Sequence, residues 1–359
     1  MRGQRKHRHS ELPTHQIPVE NIAAVYNQAG DDYVTYADGD PEHLFSFEGL
    51  HAYADRRLWS LLETKLNDLR ATGATSVSLL DAGCGPGTWL RRLVTHARLL
   101  GFSSITARGF DVAQAQIETA RRTAHDLAEL PGVNLTFDVA DLTRPLPEAE
   151  ASVDMTLCLY SVLNHLPVIG LRKVSAEIAR VTRRHFITTV RSVGSTPTIF
   201  VDSIEKARHF KLDHSLDRYD IELFNGRRIA ARFHLFTARE LKNCFAHQFI
   251  IEDLCGLDIF HNRFVPDRRW NPASFHVDLQ LSGHLARLEE AYERNPEFME
   301  HATHLLLVGR SRRAPEPEHQ CVQFPAAATQ GSGGGRQYAQ PSALRSKISN
   351  CGQVGESMS

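Results

Sequence analysis

The sequence predicts an α/β fold, a doubly wound and mostly parallel sheet, on two observations. Short apolar runs alternate along the chain with longer segments whose apolar residues recur every three or four positions. The first two of those runs each end in an acidic residue, and the first passes straight into a glycine-rich turn. Strands separated by helices of roughly 10–20 residues require right-handed crossovers, which cover both faces of a parallel sheet.

Each element follows from its own pattern. Leu58, Leu61, Leu62, Leu66 and Leu69 share one helical face, and Val77–Asp81 is the first strand. Trp89, Leu90, Leu93, Val94, Ala97 and Leu100 line a second helix stopped by Gly101, before a second strand from Ser104 to Phe110 that ends at Asp111. A helix over Ala113–Leu130 is closed by Pro131-Gly132. Val133–Phe137 is a third strand, Val153–Leu159 a fourth, Leu171–Val181 a further helix and Phe186–Val190 a fifth strand. Residues 192–235 then break the alternation with short β-like pieces around a turn at Asn225-Gly226, which reads as an insertion over the sheet. Thr237, with Glu240 three positions on, caps a helix to Phe245, and Phe249–Glu252 and Thr303–Val308 supply two more strands.

Composition bounds the function. The 359 residues carry a net charge of −1, so a nucleic-acid backbone, which demands a concentrated excess of Lys and Arg, is an unlikely main partner. Six cysteines form no C-x-x-C pair, which excludes a zinc knuckle and a redox dithiol. No apolar run approaches the ~20 residues that span a bilayer, and the basic start leads into polar residues. These features fit a reduced, cytoplasmic protein with no membrane partner. Residues 1–18 read as a disordered basic tail, and 311–359, rich in Gln, Ser, Gly, Pro and Ala without hydrophobic period, as a disordered tail. Nineteen histidines raise the question of a metal. His7 and His9 lie in the tail and His301 and His304 lack a spaced carboxylate, so no metal site is expected.

The most informative stretch is Leu80-Asp81-Ala82-Gly83-Cys84-Gly85-Pro86-Gly87-Thr88, between the first strand and a helix. Gly83 and Gly85 remove Cβ atoms where a backbone passes close beneath a ligand, and both adopt positive φ cheaply. Such a turn at a switch point lies beyond the carboxyl ends of the strands, where open α/β sheets bind ligands. A dinucleotide fingerprint from Gly83 would require Gly at position 88, where Thr88 stands, and a P-loop's Gly-Lys-Ser/Thr is absent. A nucleoside-bearing ligand without a pyrophosphate fits better. Asp111, ending the second strand, can accept from the vicinal hydroxyls of a ribose or cap the following helix, or both. Asp141, beyond the third strand, can accept from an adenine amino group while Leu142 covers the ring; Asp138 is a competing acid three residues earlier.

Taken in order, Val77–Thr88, Gly109-Phe110-Asp111, Ala140-Asp141-Leu142, Val153-Asp154 and Leu159–Leu166 resemble the class I S-adenosylmethionine (SAM) dependent methyltransferases, in the small-molecule branch. The resemblance covers 77–190 closely and 19–310 loosely. It implies a Rossmann-like sheet of seven strands whose last, here 303–308, runs antiparallel. It also implies N-terminal lid helices over 19–70, a SAM-binding domain over 71–310, and SAM as cofactor. Asp81, Gly83 and Gly85 would contact the methionine moiety, Asp111 the ribose, Asp141 the adenine, and the backbone around Tyr160 the far side. Cys84 counts with the loop as a cofactor contact and not as a nucleophile. Asp154 reads as structural. The segment Tyr26–Tyr36 resembles a tyrosine-bearing lead-in that folds over SAM. Tyr33 and Arg57 each have two readings there, a cofactor contact or packing and solvation.

The expected reaction is in-line methyl transfer to an O or N atom of a small metabolite. His165, after the fourth strand, is the candidate base, or else a residue that shapes the pocket or hydrogen-bonds a helix start. Absence of Asn/Asp-Pro-Pro-Tyr where Leu159-Tyr160-Ser161-Val162 stands argues against nucleobase amino methylation. Arg218, Tyr219, His234 and Phe260–Phe264 are candidates for substrate choice. The expected partners are a small-molecule substrate and, at most, a second copy of the chain in a homodimer. Two rival functions stay open on sequence: a non-catalytic SAM-binding partner subunit and an NAD-dependent oxidoreductase.

Overall fold

The computed structural model describes residues 21–27, 44–47, 51–195, 207–224, 226, 228–261 and 279–313. The two tails, apart from 311–313, and Tyr33 lie outside these residues. A helical segment at 22–27 (α1) comes first, and Ala52–Ala71 (α2) follows, burying Leu58, Leu62, Leu66 and Leu69 as their spacing predicts. Next come β1 (Ser76–Ala82), α3 (Thr88–Leu99), β2 (Ser104–Asp111), α4 (Gln114–Thr123), α5 (His125–Ala128), β3 (Val133–Val139), β4 (Val153–Cys158), α6 (Val168–Val181) and β5 (Thr182–Arg191). An inserted hairpin sheet follows, β6 (Ala207–Asp213), β7 (Arg218–Leu223) and β8 (Arg228–Arg232). The described chain closes with α7 (Ala238–Phe245), β9 (Phe249–Leu257), α8 (Leu279–Tyr292), α9 (Pro296–Met299) and β10 (His304–Ser311).

Seven strands form one sheet in the order β3-β2-β1-β4-β5-β10-β9. The first five pair in parallel, and β10 runs antiparallel to both β5 and β9. From β1 the sheet grows outward to β3, then from β4 the other way, so the switch point lies between β1 and β4. The strand β1 is buried on both faces, and its alternate residues divide accordingly. Val77 and Leu79 enter a core with α2, α3 and α4, while Leu80 and Ala82 enter another with α6 and α7. This period-two split between two apolar clusters is what a sheet covered on both sides requires.

Several expected boundaries shift. The helix expected over 113–130 divides at Ala124, whose φ of −103° and ψ of 3° open the turn; Leu127 and Ala128 then pack on the first core. The fifth strand starts at Thr182, not 186, because its polar start Thr182–His185 is carried by ladder pairing with β4. The last strand runs to Ser311, and α8 and α9 occupy a stretch to which sequence reading assigned nothing. Thr237 caps α7 as expected, its Oγ1 accepting from Glu240 N at 3.1 Å.

Within the insertion, β6-β7-β8 is antiparallel, with Gly226 at φ 82° in the turn after β7. Its apolar face, Tyr219, Ile221, Leu223, Ile229 and Ala231, packs on Val25 and Ile22 of α1. No described helix is long and apolar enough to cross a membrane.

Candidate functional site

The turn after β1 is pinned from below. Gly83 N and Cys84 N both donate to Phe110 O of β2, at 2.7 and 2.9 Å, and Gly83 and Gly85 take φ of 78° and 50°. A Cβ on Gly83 would stand 2.4 Å from Val162 Cγ2, so only glycine fits both the backbone and the neighbour. Gly87, at φ 80°, begins α3, and there a Cβ would strike the Phe137 ring at 2.8 Å.

Asp111 ties this turn to the next strand. One carboxylate oxygen accepts from Gly85 N at 3.0 Å, the other from Ala113 N at 2.9 Å. Asp111 is therefore not the N-cap of α4, which is Ala113 with no side-chain cap bond; its carboxylate holds the turn ahead of the helix and lines a cleft of about 630 Å³, open mouth included. Gly83, Gly85, Asp111, Asp141, Leu142, Tyr160 and His165 all line that cleft; Phe110, Val112 and Val162 supply apolar wall, and Ile22 and Tyr26 of α1 face them. Of the two acids near β3, Asp141 reaches the cleft, its Oδ1 accepting from Thr143 N and Oγ1, both at 2.8 Å. Asp138 instead lies beside Arg108 and Arg121.

Asp81 is buried just under the turn. Burial first, and the Asp111 charge second, push its carboxyl up to about 7, and no cationic group among the described residues counters them. Burial also raises the Asp111 carboxyl, against the backbone N–H bonds that lower it. With Asp81 buried, Asp111 half-buried and no cationic side chain among the described residues offsetting either, the pair suits a ligand that carries positive charge. Cys84 is buried, its thiol pushed well up by burial and donating weakly to Gly85 O, so it is no nucleophile.

Tyr160, at φ 48°, donates its N–H to Thr189 Oγ1 at 2.7 Å and its hydroxyl to Asp55. Its ring stacks 6.1 Å from that of Trp89. His165 closes a short 3₁₀ turn, Leu163–His165. Its Nδ1 lies 3.1 Å from Arg232 O, a pure acceptor, so Nδ1 carries the proton and Nε2 accepts from the Tyr26 hydroxyl at 3.0 Å. Burial pushes the imidazole down to about 4 and keeps it neutral at pH 7.

Other expected residues lie elsewhere. The Arg57 guanidinium donates to both Glu293 oxygens, at 3.3 and 3.2 Å, and does not line the cleft. Asp154 is structural, accepting from Ser78 N and Arg183. Among the substrate-choice candidates, Tyr219 is buried in the insertion core, Arg218 pairs with Asp220, and His234 bridges Asp217 and Glu240. Phe260 packs on Tyr292 and Phe298, His261 stacks on Tyr53, and 262–264 lie outside the described residues. Sequence reading missed Ile22 and Tyr26 as cleft residues and the fully buried Asn164. Asn164 donates to Arg191 O and His234 O and accepts from Arg191 N, tying β5 to the chain that leaves the insertion. Nothing in linear spacing marks these residues, although Tyr26 heads the lead-in segment.

Residues 79–185, from within β1 to within β5, match the family model described as a methyltransferase domain. Over those residues the chain carries a methyltransferase domain. No curated protein matches the chain. Among solved structures it is similar to the [4+2]-cyclase SpnF, at 18% identity and a TM-score of 0.46, over 82% of this chain and 98% of that one. It is also similar to geranyl diphosphate C-methyltransferase from Streptomyces coelicolor A3(2), at 18% and 0.43, over 81% and 96%. A third is magnesium protoporphyrin IX methyltransferase from Synechocystis PCC 6803 with bound SAH, at 15% and 0.43, over 81% and 97%.

Proposed function

We propose that the protein transfers the SAM methyl group to an oxygen or nitrogen of a small metabolite by in-line displacement, and that it acts in the cytoplasm. The observation that carries the reading is the convergence on one cleft of the Gly83–Gly85 turn, the Asp111 carboxylate and Asp141. In this reading Gly83, Cys84 and Gly85 present backbone to the methionine moiety, and Asp81 beneath them balances its positive charge. Asp111 accepts from the ribose hydroxyls at some cost to its bonds with Gly85 and Ala113. Asp141 and Leu142 take the adenine, and Tyr160 bounds the far end. Arg57, paired with Glu293, acts through the packing of α2. SAM supplies the electrophilic methyl carbon. The chain's own task is to align the acceptor, which in well-oriented reactions is worth up to ~7–11 kcal/mol, and to exclude water.

His165 Nε2 takes the acceptor's proton, directly or through the Tyr26 hydroxyl that it already holds. A neutral imidazole whose Nδ1–H is fixed on a backbone carbonyl is correctly oriented for that step. The test is incubation of a metabolite extract with methyl-labelled SAM and the protein, followed by identification of the labelled product. A labelled small molecule with a new O-methyl or N-methyl group is expected. Binding of SAM without label transfer to any extract would overturn the reading and favour a non-catalytic subunit.

A further inference from the structure

We propose that His51, Asp258 and His304 bind a divalent transition-metal ion of the zinc class beside Tyr160, at the edge of the cleft. They come from three distant parts of the chain: His51 precedes α2, Asp258 follows β9, and His304 opens β10. The ladder sets His304 opposite Leu257, which brings Asp258 alongside it. One ligand atom from each residue lies within 4.8 Å of the other two. His51 Nδ1 and Asp258 Oδ2 are 3.3 Å apart, close to the ~3.3 Å between ligands that ~2.0–2.1 Å bonds give around a tetrahedral ion. The two imidazoles meet edge to face with centroids 4.8 Å apart, and all three ligand atoms lie within 4.8 Å of one another.

Two independent features mark the cluster as more than packing. The His304 ring is 1% exposed, yet its Nδ1 has no hydrogen-bond partner, and an imidazole nitrogen left so in a buried place is costly. Asp258 holds a left-handed backbone, φ 55°, at a chain position that the surroundings over-determine. The fully buried Glu289 accepts from the N–H groups of Ile259, Phe260 and His261 in succession, and Thr303 Oγ1 donates to Asp258 O. Burial favours the neutral form of both histidines, the form that binds metals.

The charges around the cluster are mixed. The Arg191 cation acts on both histidines, while Asp258 and, across the Tyr160 hydroxyl, Asp55 carry negative charge. Two nitrogens and one carboxylate beside a cation select an ion held through nitrogen, such as Zn²⁺ or Co²⁺, over Mg²⁺ or Ca²⁺. The His304 ring stands 5.3 Å from that of Tyr160, so the ion would lie one side chain from the cleft.

The test is a titration of the untagged full chain, freed of metal by chelation, with Co²⁺ followed by visible absorption and Zn²⁺ followed by competition, with no SAM present. One ion per chain is expected, with intense tetrahedral-type Co²⁺ bands and micromolar or tighter affinity. His51→Gln, on a partly exposed loop, and His304→Gln should each weaken binding at least tenfold while circular dichroism stays unchanged. A chain with His7→Ala and His9→Ala should still bind one ion. No stoichiometric binding would overturn the proposal, as would binding lost with the tail histidines but kept in folded His51→Gln and His304→Gln.

Discussion

Asp111 and Asp81 sit 30 residues apart in sequence, yet the Asp111 charge acts on Asp81 across the glycine turn, and each makes a distinct prediction. Asp111→Ala removes a charged acceptor worth ~1.5–3 kcal/mol, so SAM affinity should fall roughly tenfold or more in calorimetry. The Asp81 carboxyl ionises near 7 when folded and near 3.8 when unfolded. With the folded value the higher one, the folded state binds the extra proton between them. The ligand-free protein should therefore lose stability as pH rises from about 4 to about 7, and level off above. Thermal melts of Asp81→Asn across that range should show a flatter profile than the parent, and an identical one would contradict the pairing. For His165, burial holds the ring neutral down to about pH 4. His165→Ala should slow turnover with near-normal SAM affinity. In the parent, the acid limb of kcat should fall near pH 4 to 5 and not near 6.5. Unchanged turnover in the alanine variant at every pH would remove the base.

At the level of elements, the turn after β1 and the insertion are the two parts that place the cleft. Gly83→Ala drives a Cβ into Val162 and strains a φ of 78°, so it should cost SAM binding more than tenfold, measured beside a melt that reports its folding. Asn164 links β5 to the chain after β8. Asn164→Ala leaves buried backbone partners unmet, a loss of about 1–3 kcal/mol in denaturant unfolding, with faster amide exchange first in β8. Strands with strong apolar runs, such as β1 and β4, were legible in the sequence almost to the residue. The polar start of β5 was not, because cross-strand pairing and not side-chain pattern holds it in the sheet. The helix over 113–130 read as one piece because propensity does not register the opened turn at Ala124.

Across the whole molecule, the sheet order puts the ends of β1, β2, β3 and β4 around one cleft. The glycines and acids of that cleft were legible because each stands directly after a predicted strand, where geometry leaves few alternatives. Ile22 was not, and Tyr26 was legible only as the head of the lead-in segment, since α1 is held at the cleft by tertiary contacts: packing on the insertion and bonds to α4 and His165. His304 was set aside as a metal ligand on linear spacing, whereas the fold brings His51 and Asp258 to it from far along the chain. The most direct test of the central claim is a crystal structure grown with SAM, paired with calorimetry on the parent and Asp111→Ala. The account predicts one SAM per chain, its ribose on Asp111 and its methionine end over Gly83 and Gly85, with affinity at least tenfold weaker in the variant. A cleft that stays empty, or equal affinity in a folded variant, would contradict it.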